Sequence, residues 1–279
     1  MTNAAPLDPD AAAALGRLTA ARASRRPCAP VRDLLPADDL DGAYAVQSAW
    51  VADQLAAGAR VIGRKIGLSN PVVQAQFGVD RPDFGVLLDT MVCAERTPVD
   101  SARTLQPKIE AEIAFVLAAD LDGDVIGRAE VAAATAYVVA ALEIVDSRIA
   151  DWDISIVDTI ADNASSGLFV LGDQKRGLGR LDLADCAMTM RRAGAGGGKG
   201  GAGGDVVSTG TGSAVLGHPL ASVAWLAATV RDLGRPLRAG EVVLSGSLGP
   251  MVPVAPGDVF RADISGLGQV SATFTDGAE

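Results

Sequence analysis

Histidine occurs once in this chain, as His218, and cysteine three times, as Cys28, Cys93 and Cys186. With one histidine, no nucleophile–histidine–acid arrangement is legible, which argues against a serine or cysteine hydrolase. His218 precedes Pro219, just before an expected helix, where a structural role is the simpler reading. The cysteines are far apart and odd in number, so neither zinc-ligand spacing nor a disulfide framework is visible. A reducing cytoplasm is the expected setting. Basic residues are outnumbered 24 to 34, leaving a net charge of −10. That balance disfavours nucleic acid and anionic membranes as partners. The first residues lack the basic and apolar regions of a signal peptide. The most apolar run, 131–142, falls short of the ~20 residues a membrane span needs.

What is present is ample apolar material, 49% of 279 residues, enough for one large domain or one domain with a helical appendage. The alanine-rich segment 8–25 and the segment 37–57 read as helices, separated by Pro27, Pro30 and Pro36. They set off residues 1–59 as an N-terminal helical region, followed by a β-rich unit over 60–279. Strands are expected at 60–68, 110–118 and 138–145, and as short runs between 242 and 274. Helices are expected at 127–137 and 219–233. Without a regular strand–helix alternation, a mixed α+β fold is favoured over a doubly wound sheet. The tract 193–205 is nearly all glycine and alanine. It meets the dinucleotide glycine pattern only trivially, fails the phosphate-loop pattern, and reads as a flexible hairpin tip.

The segment Pro107-Lys108-Ile109-Glu110-Ala111-Glu112-Ile113-Ala114-Phe115 is the most informative. In a strand, side chains alternate faces. Ile109, Ala111, Ile113 and Phe115 then share one face, and Glu110 and Glu112 stand together on the other. Two carboxylates in apolar surroundings repel and are costly to desolvate. A divalent cation is the simplest compensation. Glu143, embedded in the apolar run Val139–Val145, offers a third oxygen ligand. The alternative is that these acids pair with Lys108, Arg148 or other bases.

Further candidates are less specific. Gly63-Arg64-Lys65-Ile66-Gly67 places two cations in a short apolar strand. Beside a metal, Lys65 can have a lowered pKa and exchange protons; a solvated lysine on an edge strand is the plainer reading. Pro82-Asp83-Phe84-Gly85 reads as a turn. Asp162-Asn163-Ala164-Ser165-Ser166-Gly167 can offer hydroxyls and N–H groups to a carboxylate, or be an ordinary capped loop.

Several long blocks carry a resemblance: GRKIGLSNPVVQAQFGVDRPDFGVLLDTM from Gly63, LQPKIEAEIAFVL from Leu105, ALEIVDSRIADWDISIVDTIADNASSG from Ala141, AVLGHPLASVAWLA from Ala214, and the C-terminal segment from Leu237. In this order they resemble the 2-hydroxypenta-2,4-dienoate (2-keto-4-pentenoate) hydratases of the fumarylacetoacetate hydrolase superfamily. The resemblance implies a fumarylacetoacetase-type mixed β-roll with surrounding helices. It implies Mg²⁺ or Mn²⁺ held by Glu110, Glu112 and Glu143, with Lys65 and Asp83 as proton carriers. Ser165 and Ser166 would orient the substrate carboxylate, and Leu88 would help form an apolar wall. Asp83, Asp151-Trp152 and Leu248-Gly249-Pro250-Met251 favour hydration over the related 4-oxalocrotonate decarboxylation. A homo-oligomer is implied, with a pathway aldolase or decarboxylase as a possible associate. A non-catalytic scaffold subunit is the alternative of a different class. The 193–205 tract departs from the family as an insertion between two hairpin strands.

Overall fold

The computed structural model describes residues 7–70, 74, 79, 81–179, 181–194 and 204–275. Two helices open the chain, α1 (Pro9–Ser24) and α2 (Leu40–Ala56). Asp8 and Asp39 cap them, each side chain accepting an early backbone N–H (Ala11, Gly42). They pack with a short helix α4 (Ile156–Ala161) around Leu18, Val31, Val46, Ile149 and Ile160.

The larger sheet contains β1 (Val61–Gly67), β2 (Asp83–Leu88), β3 (Val92–Cys93), β4 (Pro107–Leu117), β5 (Thr135–Asp146), β6 (Ser166–Leu171), β9 (Val242–Ser247) and β10 (Val252–Pro253). Its spatial order is β2-β1-β9-β4-β5-β6-β3, with β10 pairing β4. Most pairs are antiparallel, but β1–β9 and β3–β6 are parallel. A second sheet, β12 (Gly268–Thr273), β11 (Val259–Ile264), β7 (Ala187–Ala193) and β8 (Asp205–Thr211), packs against β5 and β6. The main core fills the space between, built on Ile109, Ile113, Phe115, Leu142, Phe260 and Val270. The expected alternation along β4 is thus realised: Ile109, Ala111, Ile113 and Phe115 all enter this core.

Three expectations are corrected. The helix over 127–137 is only α3 (Arg128–Ala134). From Thr135 onward the β-branched and aromatic residues Thr135, Tyr137, Val138 and Val139 continue as β5, and the Thr135 hydroxyl donates to Val131 O at 2.7 Å to close the helix. Pro82–Gly85 is not merely a turn: Asp83 opens the fully buried strand β2. Gly85 belongs there because a Cβ would meet Asn163 O at 2.6 Å. Nor does Lys65 lie on an edge, since β1 is flanked by β2 and β9. The glycine-rich tract lies mostly outside the described residues. The strands on either side of it, β7 and β8, pair antiparallel up to Arg192 and Asp205.

The stretch Gly212–Asp232 is long and apolar enough to cross a membrane by length and composition alone. Only α5 (Pro219–Asp232) within it is α-helical, 14 residues or ~21 Å. Its Val223, Leu226, Ala227 and Val230 are buried in the main core.

Two side chains hold the outer side of the edge strand β2: Gln47 donates from Nε2 to Phe84 O at 2.9 Å, and Asn163 bonds Val86. Asn163 accepts from Val86 N at 2.8 Å and donates to Val86 O at 3.0 Å, from a left-handed backbone with φ 57°. Ala164 and Ser165 share that conformation, at 51° and 52°. Asn163→Ala is expected to remove both bonds and place alanine where φ is positive. The expected loss is ~2–4 kcal/mol in urea unfolding; unchanged stability would show that β2 is held by Gln47 and its ladder to β1 alone.

Candidate functional site

Strand register assembles the site. Glu110 on β4 lies directly across from Glu143 on β5, with Glu112 one step along the same face, opposite Ala141. The three carboxylates each present an oxygen within 4.8 Å of the others. On β1 and β2, Lys65 pairs with Gly85 and Gly67 with Asp83, so Lys65 and Asp83 emerge on one face two rungs apart. A Cβ on Gly67 would collide with Asp83 Oδ1, so this rung requires glycine. Lys65 Nζ stands 3.2 Å from Glu143 Oε1 and links the two halves.

The charge balance is unfavourable as it stands. Glu112 is fully buried, and its Oε2 accepts from Gly246 N at 2.8 Å. Its Oε1, both Glu143 oxygens and Asp83 Oδ1 have no hydrogen-bond donor among the described residues. Lys65 reaches Glu143 only as an ion pair, outside hydrogen-bond geometry. Buried carboxylate oxygens without donors are expensive. A hard divalent cation, which takes oxygen ligands, fits this donor set.

Burial, the charge of Glu143 and other neighbours push the Glu110 carboxyl up to about 7. Glu112 is raised well above the usual range by burial, Glu143 and Glu110. Asp83 is pushed up to about 6, mainly by burial, with Lys65 opposing. For Lys65, burial lowers the pKa, but Glu143, Asp83, Glu110 and Glu112 outweigh it and the group is raised. Four carboxylates thus hold the Lys65 pKa up in the metal-free site, whereas the lowered value expected from the sequence is that of a lysine beside a metal.

A cavity of about 540 Å³ opens on this cluster, lined among others by Lys65, Asp83, Glu110, Lys108, Trp152 and Ser165. Of the three glutamates only Glu110 is in that lining; Glu112 and Glu143 are buried, each with an oxygen within 4.8 Å of the others. Two expected contacts are absent. Leu88 sits at the far end of β2, ~17 Å from Asp83 by strand rise, in an apolar cluster with Trp50, Leu244 and Phe169. Ser166 points away from the cavity, and its hydroxyl donates to Asn163 O at 2.8 Å. Asp162 is also structural, paired with Arg148 at 2.6 Å and Arg22 at 2.8 Å. His218 caps α5, its Nδ1 accepting from Leu220 N at 3.0 Å.

Sequence reasoning missed Lys108 and Trp152 as cavity residues. Lys108 makes no ion pair among the described residues, and its ammonium lies 4.2 Å from the centre of the Trp152 ring. Trp152 Nε1 donates to Gln106 O at 3.0 Å, from a backbone with φ 57°. The signal was available: Lys108 shares the face of Glu110 by strand alternation.

The profile described as fumarylacetoacetate (FAA) hydrolase C-terminal matches residues 61–275. The chain is 50% identical to 2-keto-4-pentenoate hydratase 1 of Dechloromonas aromatica (strain RCB), covering 98% of this chain and 100% of the relative. It is 45% identical to 2-hydroxyhexa-2,4-dienoate hydratase of Comamonas testosteroni, over 93% and 96% of the two chains. Among solved structures, 4-oxalocrotonate decarboxylase from Pseudomonas putida G7, complexed with magnesium and adipate, superposes with a TM-score of 0.88. That similarity is at 34% identity and covers 98% of this chain and all of the other.

The raised acids set the pH dependence of the site. Asp83 and Glu110 bind protons more tightly when folded than at their ordinary 3.8 and 4.5. The metal-free protein therefore loses stability from these groups as pH rises from about 4 through 7. A cation that binds the deprotonated set offsets that loss. The rise in thermal midpoint on adding Mg²⁺ or Mn²⁺ is expected to be larger at pH 8 than at pH 5.5, and to vanish in Glu110→Gln. Equal rises at both pH values would contradict the arrangement.

Proposed function

The chain belongs to the fumarylacetoacetate hydrolase family, and from that membership and the geometry of its acidic site we propose that it is a metal-dependent hydro-lyase. The reaction adds water to 2-hydroxypenta-2,4-dienoate to give 4-hydroxy-2-oxopentanoate, in meta-cleavage degradation of aromatic compounds. Relatives of about 50% identity named 2-keto-4-pentenoate hydratase support it. The observation that carries it is the buried pair Lys65 and Asp83, placed in one cavity with Glu110 and its two buried partners.

Glu110, Glu112 and Glu143 would hold Mg²⁺ or Mn²⁺. Bound there, the cation would supply positive charge to stabilise an enolate-like C2 oxygen of the substrate. The chain's own groups handle the protons. Overall, C5 gains a proton, the oxygen of water bonds to C4 as that water gives up one proton, C3 gains a proton, and the enol proton leaves as the C2 carbonyl forms. Asp83, with its carboxyl at about 6, can hold a proton or give one up near neutrality. Lys65 stays protonated and acts as donor to a substrate atom brought beside it. Ser165 offers a hydroxyl to the carboxylate, and the Lys108 ammonium, a cavity cation with no ion-pair partner among the described residues, is available to attract it.

Residues 1–59 form a helical region attached to the catalytic unit at 60–279 in this reading. The enzyme works in the cytoplasm, where its three free thiols are stable. It acts as a homo-oligomer, with a pathway aldolase or decarboxylase as a possible associate. A second reading, 4-oxalocrotonate decarboxylation, draws on the 0.88 superposition and on Lys108, whose free charge suits a second carboxylate. Asp83 favours hydration because water addition needs an additional proton carrier.

The test follows the ultraviolet absorbance of 2-hydroxypenta-2,4-dienoate with metal-stripped protein, then with Mg²⁺ or Mn²⁺. Metal-dependent formation of 4-hydroxy-2-oxopentanoate is expected. Lys65→Met and Asp83→Asn should each lower kcat by ~10²- to 10⁴-fold, while Lys108→Met should raise KM with little change in kcat. Release of CO₂ from 4-oxalocrotonate, without dienoate turnover, would select the second reading.

A further inference from the structure

A second cavity of about 210 Å³ lies behind the strands that carry Lys65 and Asp83. Alternation along β1 and β2 creates it: Lys65 and Asp83 point to the acidic site, while their neighbours Arg64 and Phe84 line this other space. The helix side is closed by Tyr44 and Ser48 of α2, and one end by Arg235, just beyond α5.

Arg64 is the unusual group. It is only 8% exposed. Its Nη1 donates to Gly63 O at 2.9 Å, and Glu241 comes no closer than 3.9 Å. Glu241 also accepts from Arg238 N through its other oxygen, at 3.2 Å. Nε and Nη2 of Arg64 make no hydrogen bond among the described residues. Neither atom is sealed off from solvent, so this largely buried guanidinium leaves two donors open to the cavity, and a planar anion is the partner its fork fits. Arg235 adds a second cation, held through Ser48 Oγ at 3.1 Å. The Tyr44 ring, stacked on Phe84 at 4.5 Å, adds a flat apolar wall. Asp41 and Arg235 both border the cavity and are exposed, so solvent and salt screen their charges alike, and the largely buried Arg64 is the dominant charge of the lining.

We propose that this cavity is an accessory binding site for a small organic carboxylate, its anionic end on Arg64 and Arg235 and its apolar body against Tyr44 and Phe84. The site is separate from the acidic cavity, and its occupancy does not depend on the reaction proposed above. A carboxylate is favoured over inorganic phosphate because most of the lining is aromatic or aliphatic.

The probe is 5-bromopentanoate with the full-length, Mg²⁺-loaded protein. Calorimetry measures its binding to the unmodified chain, to Arg235→Gln and to Arg64→Lys, and anomalous scattering locates the bromine in soaked crystals. A bromine against Tyr44 and Phe84, at the end of the cavity away from the two guanidinium groups, is expected, with affinity roughly tenfold weaker in Arg235→Gln. Arg235 is exposed and remote from the acids, so Arg235→Gln should fold and keep its basal turnover, whatever the substrate proves to be. Bromine found only in the acidic cavity, or affinity unchanged in both variants, would overturn the site. Phosphate competing with the probe at equal strength would overturn the preference for an organic acid.

Discussion

The structure is organised around a repulsion. The antiparallel register of β4 and β5 brings Glu110 and Glu143 face to face, and strand alternation adds Glu112 beside them. Like charges directly opposite each other are unfavourable in any sheet. Here Glu112 and Glu143 are buried and Glu110 half-buried, and among the described residues Lys65 alone forms an ion pair with them. The protein tolerates this because the rest of each strand is apolar and fully packed: Ile109, Ile113 and Phe115 on β4, Leu142 and Ile144 on β5. The stability of the two longest strands thus maintains an acidic cluster that neither strand would hold alone. A site prepared in this way has a strong preference for a cation that brings charge without needing a cavity of its own.

A second constraint positions the side of the site that carries Lys65 and Asp83. β2 is the edge of the large sheet, yet it carries Asp83 and is buried throughout. Its outer edge is covered by the left-handed turn at Asn163, Ala164 and Ser165. Asn163 satisfies both backbone groups of Val86, and Gly85 lets the turn approach. The turn is anchored by Asp162, which pairs with Arg148 and Arg22. This polar run is therefore mostly scaffold, and only its tip at Ala164 and Ser165 meets the cavity. Three consecutive residues at positive φ are strained, and here they serve to close a sheet edge next to a buried carboxyl.

These details explain what the sequence could convey. The face alternation of β4 was legible because period-two patterning is local, and the Glu110–Glu112 pairing followed from it. The proximity of Glu143 was suggested by chemistry but depends on register, which one strand cannot reveal. Asp83 was misread locally because proline and glycine flank it; the glycine is there for a contact 78 residues away, with Asn163. Leu88 and Ser166 illustrate the opposite error. Each adjoins a residue near the site in sequence or strand, yet one lies at the far end of β2 and the other turns inward to Asn163. Lys108 was legible on the face of Glu110, but its place over the Trp152 ring was not, because only folding brings that ring to it.

One strand can serve two cavities because alternation separates them. On β1, Lys65 faces four carboxylates and Arg64, its neighbour, faces an aromatic space with a distant one. The sheet between is a single layer, so the backbone that holds Lys65 in place is also the wall of the second cavity. A cation at each successive position would be mutually repulsive in an exposed strand. Here the two are kept apart by the sheet and answered by acids on opposite sides, Glu143 at 3.2 Å and Glu241 at 3.9 Å. The inequality of those distances matters. Lys65 has its counter-charge already, and any anion entering the acidic cavity must compete with or displace part of it. Arg64 has the more distant Glu241 and no closer acid among the described residues, so its side of the sheet is the one with cationic capacity to spare.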